Sequence, residues 1–330
     1  MKKHSFFAAC LLILLSQMIS AQSINRVEPL SWWVGMENKN LQLMIYGKEI
    51  CDAQVDIDYP GVKLSKVNLI ENQNYLFLDL SIDSTAKAGS FDIILSFKNQ
   101  NTLKYTYTLS QRKANSSLRK GFSSKDVVYL IMPDRFANGD SSIDNVDGYK
   151  DKLKRKNQYG RHGGDIQGII NHLDYFNELG VTSLWLTPVL ENNQKEASYH
   201  GYSITDYYKV DPRYGSNDLY KSMVEKAHQK GLKVIMDMVF NHCGSEHWWM
   251  KDLPSADWIN QWPEYTSSNF RASVLSDPYA SESDVKRMSK GWFVPTIPDL
   301  NQENPFLANY LTQNSIWWVE FADLDGIRMD

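Results

Sequence analysis

Cysteine is scarce in this sequence, with three residues in 330. Cys10 lies in an N-terminal apolar run, while Cys51 and Cys243 lie far apart in segments typical of different domains. A scaffold held by disulfides needs several paired cysteines at regular spacing. The sequence therefore predicts no disulfide framework.

An excess of basic charge is also absent. Lys and Arg number 35 against 39 Asp and Glu, for a net charge of −4, so no positive field favours nucleic acid. Apolar residues make up 42%, which excludes a wholly disordered chain. The length leaves room for two or three domains of ordinary size, but an eight-stranded α/β barrel alone takes roughly 250 residues.

No apolar run is long enough to cross a membrane. The N-terminal run covers ten residues, 6–15, whereas a spanning helix needs about 20. Lys2 and Lys3 precede it and Ala21 follows it, an order typical of a secretory signal peptide. We predict a signal peptide over residues 1–21, favoured over a membrane anchor, and a secreted protein in the periplasm of a Gram-negative bacterium or outside the cell.

Residues 26–109 alternate between apolar and polar side chains with a period of two, as half-buried strands do. Residues 75–82 and 91–98 give the clearest examples. Short strands separated by Asn, Gly and Asp turns predict a β-sandwich over residues 22–115. Trp32 and Trp33 at its start are either core residues, which we favour, or a platform for sugar.

The pattern changes after residues 110–124, a polar and unpatterned stretch typical of a linker. Buried-strand runs then alternate with segments of helical spacing, and this alternation predicts parallel βαβ units. One predicted helix covers residues 169–179 and stops at Gly180, and another begins at Asn304 and Pro305. The predicted strands cover residues 127–132, 181–187, 232–239 and 325–330.

Two connections are too long to be simple loops. About 30 residues (138–167) follow the first strand and about 60 (243–303) follow the third, and loops beyond about 15 residues are usually functional or small domains. In a β/α barrel the loops after the strands form the active face. Five tryptophans of the second connection are expected partly in its core and partly against substrate: Trp248, Trp249, Trp258, Trp262 and Trp292.

Polar side chains stand where the third and fourth strands end. Asp237 lies inside the apolar third strand, and Asn241 and His242 follow it. Arg328 and Asp330 lie two residues apart on the fourth strand and therefore on one face. An arginine beside a carboxylate favours its charged form, which a nucleophile requires, although a structural ion pair is the alternative.

Together these segments resemble the glycoside hydrolase family that includes α-amylases, neopullulanases and cyclomaltodextrinases. The resemblance covers residues 126–330 and includes VTSLWLTP (181–188), HGYSITD (200–206), DMVFNH (237–242), IPDLN (297–301) and GIRMD (326–330). The β-rich module resembles the N-terminal domain of the neopullulanase and cyclomaltodextrinase branch, and PDRFANGD (133–140) resembles that branch's first strand end. The resemblance implies a multidomain protein: the β-sandwich, then part of a (β/α)8 TIM barrel of about four strands over residues 116–330, with an insertion at about 243–297.

The resemblance also implies roles for single residues. Asp330 matches the nucleophile that forms a covalent glycosyl-enzyme in a retaining mechanism, and Arg328 would keep it ionised. His242 would hydrogen-bond the sugar and Tyr202 would stack on its ring. Asp237, with Asn241, would support the site without reacting directly.

A calcium site is implied in the connection after the first strand. Its oxygen donors have the chemistry that Ca²⁺ prefers, and in the neopullulanase branch this loop resembles a calcium site to which Gly163 contributes a carbonyl. Ile143 stands where that pattern usually has Asn, and an Asx-turn loop without metal is the alternative. The expected ligands are Asn138, Asp140, Asp144, Gly163 and Asp165.

The family's mechanism needs two further carboxylates, a general-acid Glu on the fifth strand and an Asp on the seventh, beyond the four strands predicted here. We therefore expect a truncated barrel that is inactive by itself. As part of an intact protein, it is expected to hydrolyse α-1,4 bonds of starch, maltooligosaccharides, pullulan or cyclodextrins. A non-catalytic α-glucan-binding protein and a glucan transglycosylase are the alternatives. The expected partner is an α-glucan, not nucleic acid, and a homodimer stays open.

Overall fold

The computed structural model describes residues 22–98 and 101–330. The predicted signal peptide, residues 1–21, lies outside the described residues. Within the described part of the chain, no helix combines the length and the apolarity that a membrane crossing requires.

In residues 22–98 and 101–111, eight strands build the N-terminal module. They form two four-stranded sheets, in the orders β1-β3-β6-β5 and β2-β8-β7-β4, and confirm the predicted β-sandwich. Trp32 and Trp33 are 3% and 7% exposed, so both rings belong to the core. The strands are β1 (Ser23–Glu28), β2 (Trp32–Val34), β3 (Asn40–Lys48), β4 (Gln54–Ile57), β5 (Val62–Leu69), β6 (Tyr75–Ile82), β7 (Gly89–Ser96) and β8 (Thr102–Gln111).

The first sheet is covered on both faces. The period of two predicts one buried and one solvated face for β6, yet Tyr75 and Phe77 on the predicted outer face are also buried. The Phe77 ring lies 4.7 Å from that of Phe306 and 6.1 Å from that of Trp258. The second half of the chain therefore packs directly on this sheet.

The second half contains the predicted parallel strands. They are β9 (Val128–Ile131), β10 (Ser183–Leu186), β13 (Lys233–Met238) and β14 (Gly326–Met329). Two short strands that were not predicted, β11 (Leu190–Glu191) and β12 (Asp206–Val210), lie between β10 and β13 along the chain. The sheet order is β14-β13-β10-β9 with parallel neighbours, while β11 and β12 form a separate antiparallel pair. Four such strands are half of a closed eight-stranded barrel.

Helices lie between these strands, as the βαβ alternation predicts, although the first and the fifth of them were not predicted. They are α1 (Pro133–Phe136), α2 (Ile166–Asn171), α3 (Leu173–Glu178), α4 (Asn217–Gln229), α5 (Glu282–Lys290) and α6 (Pro305–Ala322). The Asn304 side chain accepts the backbone N–H groups of Phe306 and Leu307, which confirms the predicted cap of α6.

The helix predicted over residues 169–179 is divided at His172. The imidazole Nδ1 lies 2.7 Å from the carbonyl oxygen of Gly168, the acceptor that the His172 backbone N–H would use in a continuous helix. That N–H turns instead to the carbonyl of Ile169. The side chain therefore competes with the helical ladder and separates α2 from α3.

The stretch predicted as a linker is held against α6 by ion pairs. Arg112 and Arg119 both contact the Glu320 carboxylate, at 2.9 and 3.1 Å, and Arg119 also reaches Asp323 at 2.7 Å. Burial alone would raise the pKa of Glu320, but the two guanidinium groups outweigh it and lower this pKa. The polar composition of residues 110–124 thus reflects ion pairs with the second half of the chain.

Candidate active site

The site lies where β13 and β14 end at the same edge of the parallel sheet. Asp237 is directly opposite Arg328 in the strand register, and Arg328 Nη1 lies 3.1 Å from Asp237 Oδ1. The same nitrogen contacts Asp330 Oδ1. One guanidinium group therefore joins two carboxylates that were predicted to belong to one site.

Asp237 is completely enclosed by donors. Its side chain is 0% exposed, and Oδ2 accepts hydrogen bonds from Trp185 Nε1 at 3.0 Å and Tyr202 Oη at 2.9 Å. Burial raises the pKa of Asp237, while the hydrogen bonds and the charge of Arg328 oppose that rise. The carboxylate is thus placed to orient Arg328 and Tyr202 rather than to meet a substrate, and its supporting role stays a prediction.

Tyr202 is positioned by a close backbone approach. The preceding Gly201 has φ +85°, and a Cβ there would stand 2.2 Å from the carbonyl oxygen of Pro188, so only glycine fits. The Tyr202 ring stacks on His200, with centroids 6.0 Å apart at 24°. The Arg328 guanidinium also lies over the ring, at 5.8 Å from its centroid, which brings the predicted stacking residue to the Arg328–Asp330 pair.

His242 is 5% exposed, and both of its ring nitrogens have partners. Nε2 lies 2.9 Å from the Tyr202 carbonyl oxygen, and Nδ1 lies 3.2 Å from Asn241 Nδ2. Burial lowers the pKa of His242, so a neutral ring that donates from Nε2 and accepts at Nδ1 satisfies both contacts. A sugar hydroxyl would have to replace one of these partners.

Asp299 lies at the site beside His242, and no role was predicted for it. It pairs with His242 in an isolated bridge, and its carboxylate accepts from Asn260 Nδ2 at 2.8 Å and Asn241 Nδ2 at 3.3 Å. Burial raises the pKa of Asp299 to about 7. Its place in the IPDLN motif was the available signal. No role was predicted for Trp185 either, because an aromatic residue within a predicted strand is usually a core residue. Its Nε1 nevertheless donates to Asp237.

The residues predicted as calcium ligands only partly converge. Asn138 Nδ2 lies 2.7 Å from Asp144 Oδ1, and a Cβ at Gly163, where φ is +84°, would meet that oxygen at 2.4 Å. Asp165 instead accepts the N–H groups of Gly168, Gly139 and Asp140, and Asp140 accepts from Ser142.

The donor set fits a cation at Asn138, Asp144 and Gly163. Rotation of the Asn138 amide by half a turn would bring its oxygen toward Asp144. Burial and the nearby Asp165 raise the pKa of Asp144. Among residues 22–98 and 101–330, no group of three or more His, Cys, Asp or Glu side chains is arranged to hold a metal. Calcium therefore stays a prediction that rests on mixed carboxylate, amide and carbonyl donors.

Two family models match the chain. Residues 130–330 match the α-amylase catalytic domain, and residues 26–113 match the N-terminal domain of cyclomaltodextrinase. A cyclomaltodextrinase of Geobacillus thermopakistaniensis is 34% identical over 62% of this chain and 33% of its own length. Neopullulanase 2 of Thermoactinomyces vulgaris is 32% identical over 63% of this chain and 34% of its own.

A solved structure has the same fold. An α-amylase from Anoxybacillus superposes with a TM-score of 0.51 at 37% identity, over 62% of this chain and 40% of that protein. The chain thus spans about a third of the length of these two curated relatives.

Proposed function

Since this chain belongs to the α-amylase family, we propose that the protein hydrolyses α-1,4-glucosidic bonds in α-glucans, with Asp330 as the nucleophile. The observation that carries the proposal is Arg328, which joins Asp330 to the buried Asp237 at the carboxyl ends of adjacent parallel strands. Barrel enzymes assemble their catalytic groups at this face. The names of the two curated relatives support cyclodextrin or pullulan as substrates alongside starch.

In the proposed reaction an Asp330 oxygen attacks the anomeric carbon. A C–O bond forms to the carboxylate as the glycosidic C–O bond breaks, and the leaving oxygen takes a proton from a carboxylic acid. Water, which gives its proton back to that same carboxylate, then attacks the anomeric carbon, so the glycosyl ester bond breaks and both carboxyl groups return to their starting states. Arg328 fixes the position of the Asp330 carboxylate through its Nη1 contact, and Asp237 holds Arg328 in place.

Tyr202 and His242 are proposed to hold the sugar that is attacked. The half-buried Tyr202 ring lies beside Arg328, and a flat aromatic face suits the apolar face of a pyranose at low entropic cost. His242 would exchange its contact with the Tyr202 carbonyl for a sugar hydroxyl. The sugar would then contact an apolar ring, Tyr202, and a polar group, His242, a combination usual in ligand sites.

We propose that the described residues alone do not hydrolyse a glucan. Within them Asp237 is the second carboxylate held by Arg328, and its oxygens are buried and occupied. Asp299, the other carboxyl group described at the site, is buried and engaged by Asn241 and Asn260. Among the described site residues no acid is then free to protonate the leaving oxygen, and general acid–base assistance is worth typically 10²–10⁴-fold. The test is the release of reducing sugar from maltoheptaose by the 330-residue chain. A release greater than that of the Asp330→Asn variant would contradict the proposed inactivity.

The nucleophile can be tested without a general acid. Fluoride leaves a 5-fluoro-α-glucosyl fluoride without protonation, so attack by Asp330 breaks the C–F bond and leaves the sugar attached to the protein. We expect intact mass spectrometry to detect one added sugar on the chain and none on Asp330→Asn, with fragmentation placing it on Asp330. A chain that gains no mass, or gains it equally in the variant, contradicts the assignment.

A calcium ion and export from the cytoplasm complete the proposal. Asn138, Asp144 and the Gly163 carbonyl would hold the ion, which would supply positive charge to order the loop between β9 and α2. Export would use residues 1–21, and N-terminal sequencing of the mature protein would test cleavage after Ala21.

Transglycosylation remains an alternative outcome of the same intermediate. A sugar hydroxyl and water compete for one glycosyl ester, so product analysis of the active protein separates the two reactions.

A further inference from the structure

Trp185, on β10, contacts both members of the Asp237–Arg328 pair. The strand register places it opposite Ile235 of β13, two residues before Asp237, so the Trp185 and Asp237 side chains share one face of the sheet. The indole Nε1 donates to Asp237 Oδ2 at 3.0 Å. The Arg328 guanidinium carbon lies 5.5 Å from the centroid of the indole ring. One side chain thus holds the carboxylate by a hydrogen bond and the cation by its aromatic face.

Tyr202 makes the same two kinds of contact. Its Oη donates to Asp237 Oδ2 at 2.9 Å, and the Arg328 guanidinium carbon lies 5.8 Å from its ring centroid, so the cation is attracted to two aromatic faces. Both neutral donors use Oδ2, and Arg328 Nη1 lies nearer to Oδ1, at 3.1 Å against 3.4 Å for Oδ2. The two donors therefore fix the plane of the Asp237 carboxylate and the direction from which it holds Arg328.

Arg328 needs such a support because its long side chain is 36% exposed, whereas Asp237 is fully buried. The nitrogen that contacts Asp237 also contacts Asp330 Oδ1. A rotation of the carboxylate at Asp237 would consequently move the guanidinium group and, with it, Asp330. The contacts run from Trp185 through the ion pair to the proposed nucleophile, although Tyr202 alone of the two aromatic residues is proposed to meet the sugar.

We propose that Trp185 is a positioning residue for the nucleophile: it fixes Asp237 and Arg328, and Arg328 in turn holds Asp330. This inference rests on the proposed function, since Asp330 must be the attacking group for Trp185 to affect the reaction. A small displacement of a reacting group slows an enzyme reaction strongly. A tryptophan with only a structural role would change the fraction of folded chain and not the rate at which the folded chain reacts.

The test measures how fast 5-fluoro-α-glucosyl fluoride labels the 330-residue chain, by intact mass spectrometry over a range of reagent concentrations. Trp185→Phe keeps an aromatic face near Arg328 and removes the N–H donor to Asp237. We expect its limiting labelling rate to fall about tenfold, while the half-saturating reagent concentration and the final labelled fraction stay at the wild-type values. A loss of folded protein would instead lower the final labelled fraction and leave the rate unchanged.

Trp317→Phe is the matched control. Trp317 lies on α6 and is 2% exposed, and its Nε1 donates to Ser31 Oγ at 3.3 Å, so this variant also removes an indole hydrogen bond from a buried ring. We expect it to label at the wild-type rate. If Trp185→Phe does not fold, incorporation of 3-benzothienylalanine at position 185, which keeps the bicyclic ring and lacks the N–H, gives the same comparison.

The outcomes separate the role of Trp185 from the proposed function. If wild type gains no sugar, the nucleophile is wrong and the positioning role falls with it. If wild type is labelled and the Trp185 variant keeps its limiting rate, or loses only labelled fraction, Trp185 has no positioning role and the proposed function stands. A raised half-saturating concentration with an unchanged limiting rate would make Trp185 a sugar-binding residue and overturn the inference.

Discussion

Asp237 and Arg328 stand opposite each other on neighbouring parallel strands, 3.1 Å apart, and the carboxylate of this pair is fully buried. A buried carboxylate is tolerated only when its partners remain in place. Trp185 and Tyr202 supply neutral hydrogen bonds, but Arg328 supplies the compensating charge. The pair therefore affects the stability of the sheet as well as the position of Asp330.

Replacing Arg328 with Met should destabilise the fold in a pH-dependent way. Without the guanidinium, the already raised pKa of Asp237 rises further, so its charged form opposes folding at neutral pH. Stability is then lost as pH increases, and we expect a deficit of about 2 kcal/mol at pH 8 that is much smaller at pH 4. Urea unfolding at pH 4 and pH 8 measures this loss of unfolding free energy. The Arg328→Lys variant should recover part of it. A deficit equal at the two values would contradict the argument.

A buried ionic cluster at the junction of the two halves predicts a second pH effect. Burial and the nearby Asp206 raise the pKa of Glu28 to about 7, against Arg26 and the Tyr310 hydroxyl. A raised carboxyl pKa contributes stability that is present below the usual value of 4.5 and lost as pH rises through 7.

Glu28→Gln should therefore flatten the dependence of the unfolding midpoint on pH between 5 and 8. The Tyr310 hydroxyl, 2.8 Å from the Glu28 carboxylate, can still donate to the amide oxygen. The exposed Glu37→Gln serves as the control and should retain the wild-type slope. An unchanged slope in Glu28→Gln would show that this carboxyl does not titrate in that range.

Calcium should stabilise the loop between β9 and α2. Because burial raises the pKa of Asp144, a bound cation would favour the charged form and bind more tightly as pH rises. We expect added Ca²⁺ to raise the thermal midpoint after chelator treatment, and Asp144→Asn to abolish that rise. Asp147→Asn, at an exposed carboxylate of the same loop, should leave it intact. An equal midpoint with chelator and with excess Ca²⁺ would refute the site.

Local signals in the sequence were sufficient for the four parallel strands, the start of α6 and the strand-end residues, but not for β11, β12 or the division of a helix at His172. Asn304 followed by Pro305 identifies a helix start because the cap uses side chains that are neighbours in sequence. Arg328 and Asp330 share a face because alternation is a property of any strand. Such features depend on residues a few positions apart.

Features that depend on contacts between segments far apart in the chain could not be predicted from the sequence. The aromatic outer face of β6 is buried only because the second half of the chain packs on it, and the polar linker is fixed only because Glu320 lies nearby. No period in the sequence encodes these contacts.

Asp252 fastens the insertion to the N-terminal module and gives the last prediction. Its carboxylate accepts hydrogen bonds from Asn72 Nδ2, from Asn74 Nδ2 at 2.7 Å and from Tyr46 Oη at 3.2 Å, and its carbonyl accepts from Tyr75 Oη at 2.6 Å. All four donors belong to the first sheet or its turn. Asp252→Ala removes the three side-chain bonds and leaves half-buried donors without an acceptor, which should cost about 3 kcal/mol.

The loss should be local to the contact between the insertion and the sheet. Trp248 lies against Tyr46, with ring centroids 5.1 Å apart, so its surroundings should change with the variant. For Asp252→Ala we expect a lower midpoint of urea unfolding, monitored by tryptophan fluorescence. We also expect faster proteolysis within residues 264–290. Glu264→Ala, at an exposed carboxylate of the same insertion, should match wild type in both assays. If Asp252→Ala also matches wild type, the insertion is held by its aromatic packing alone, and the polar contacts at Asp252 add nothing to its attachment.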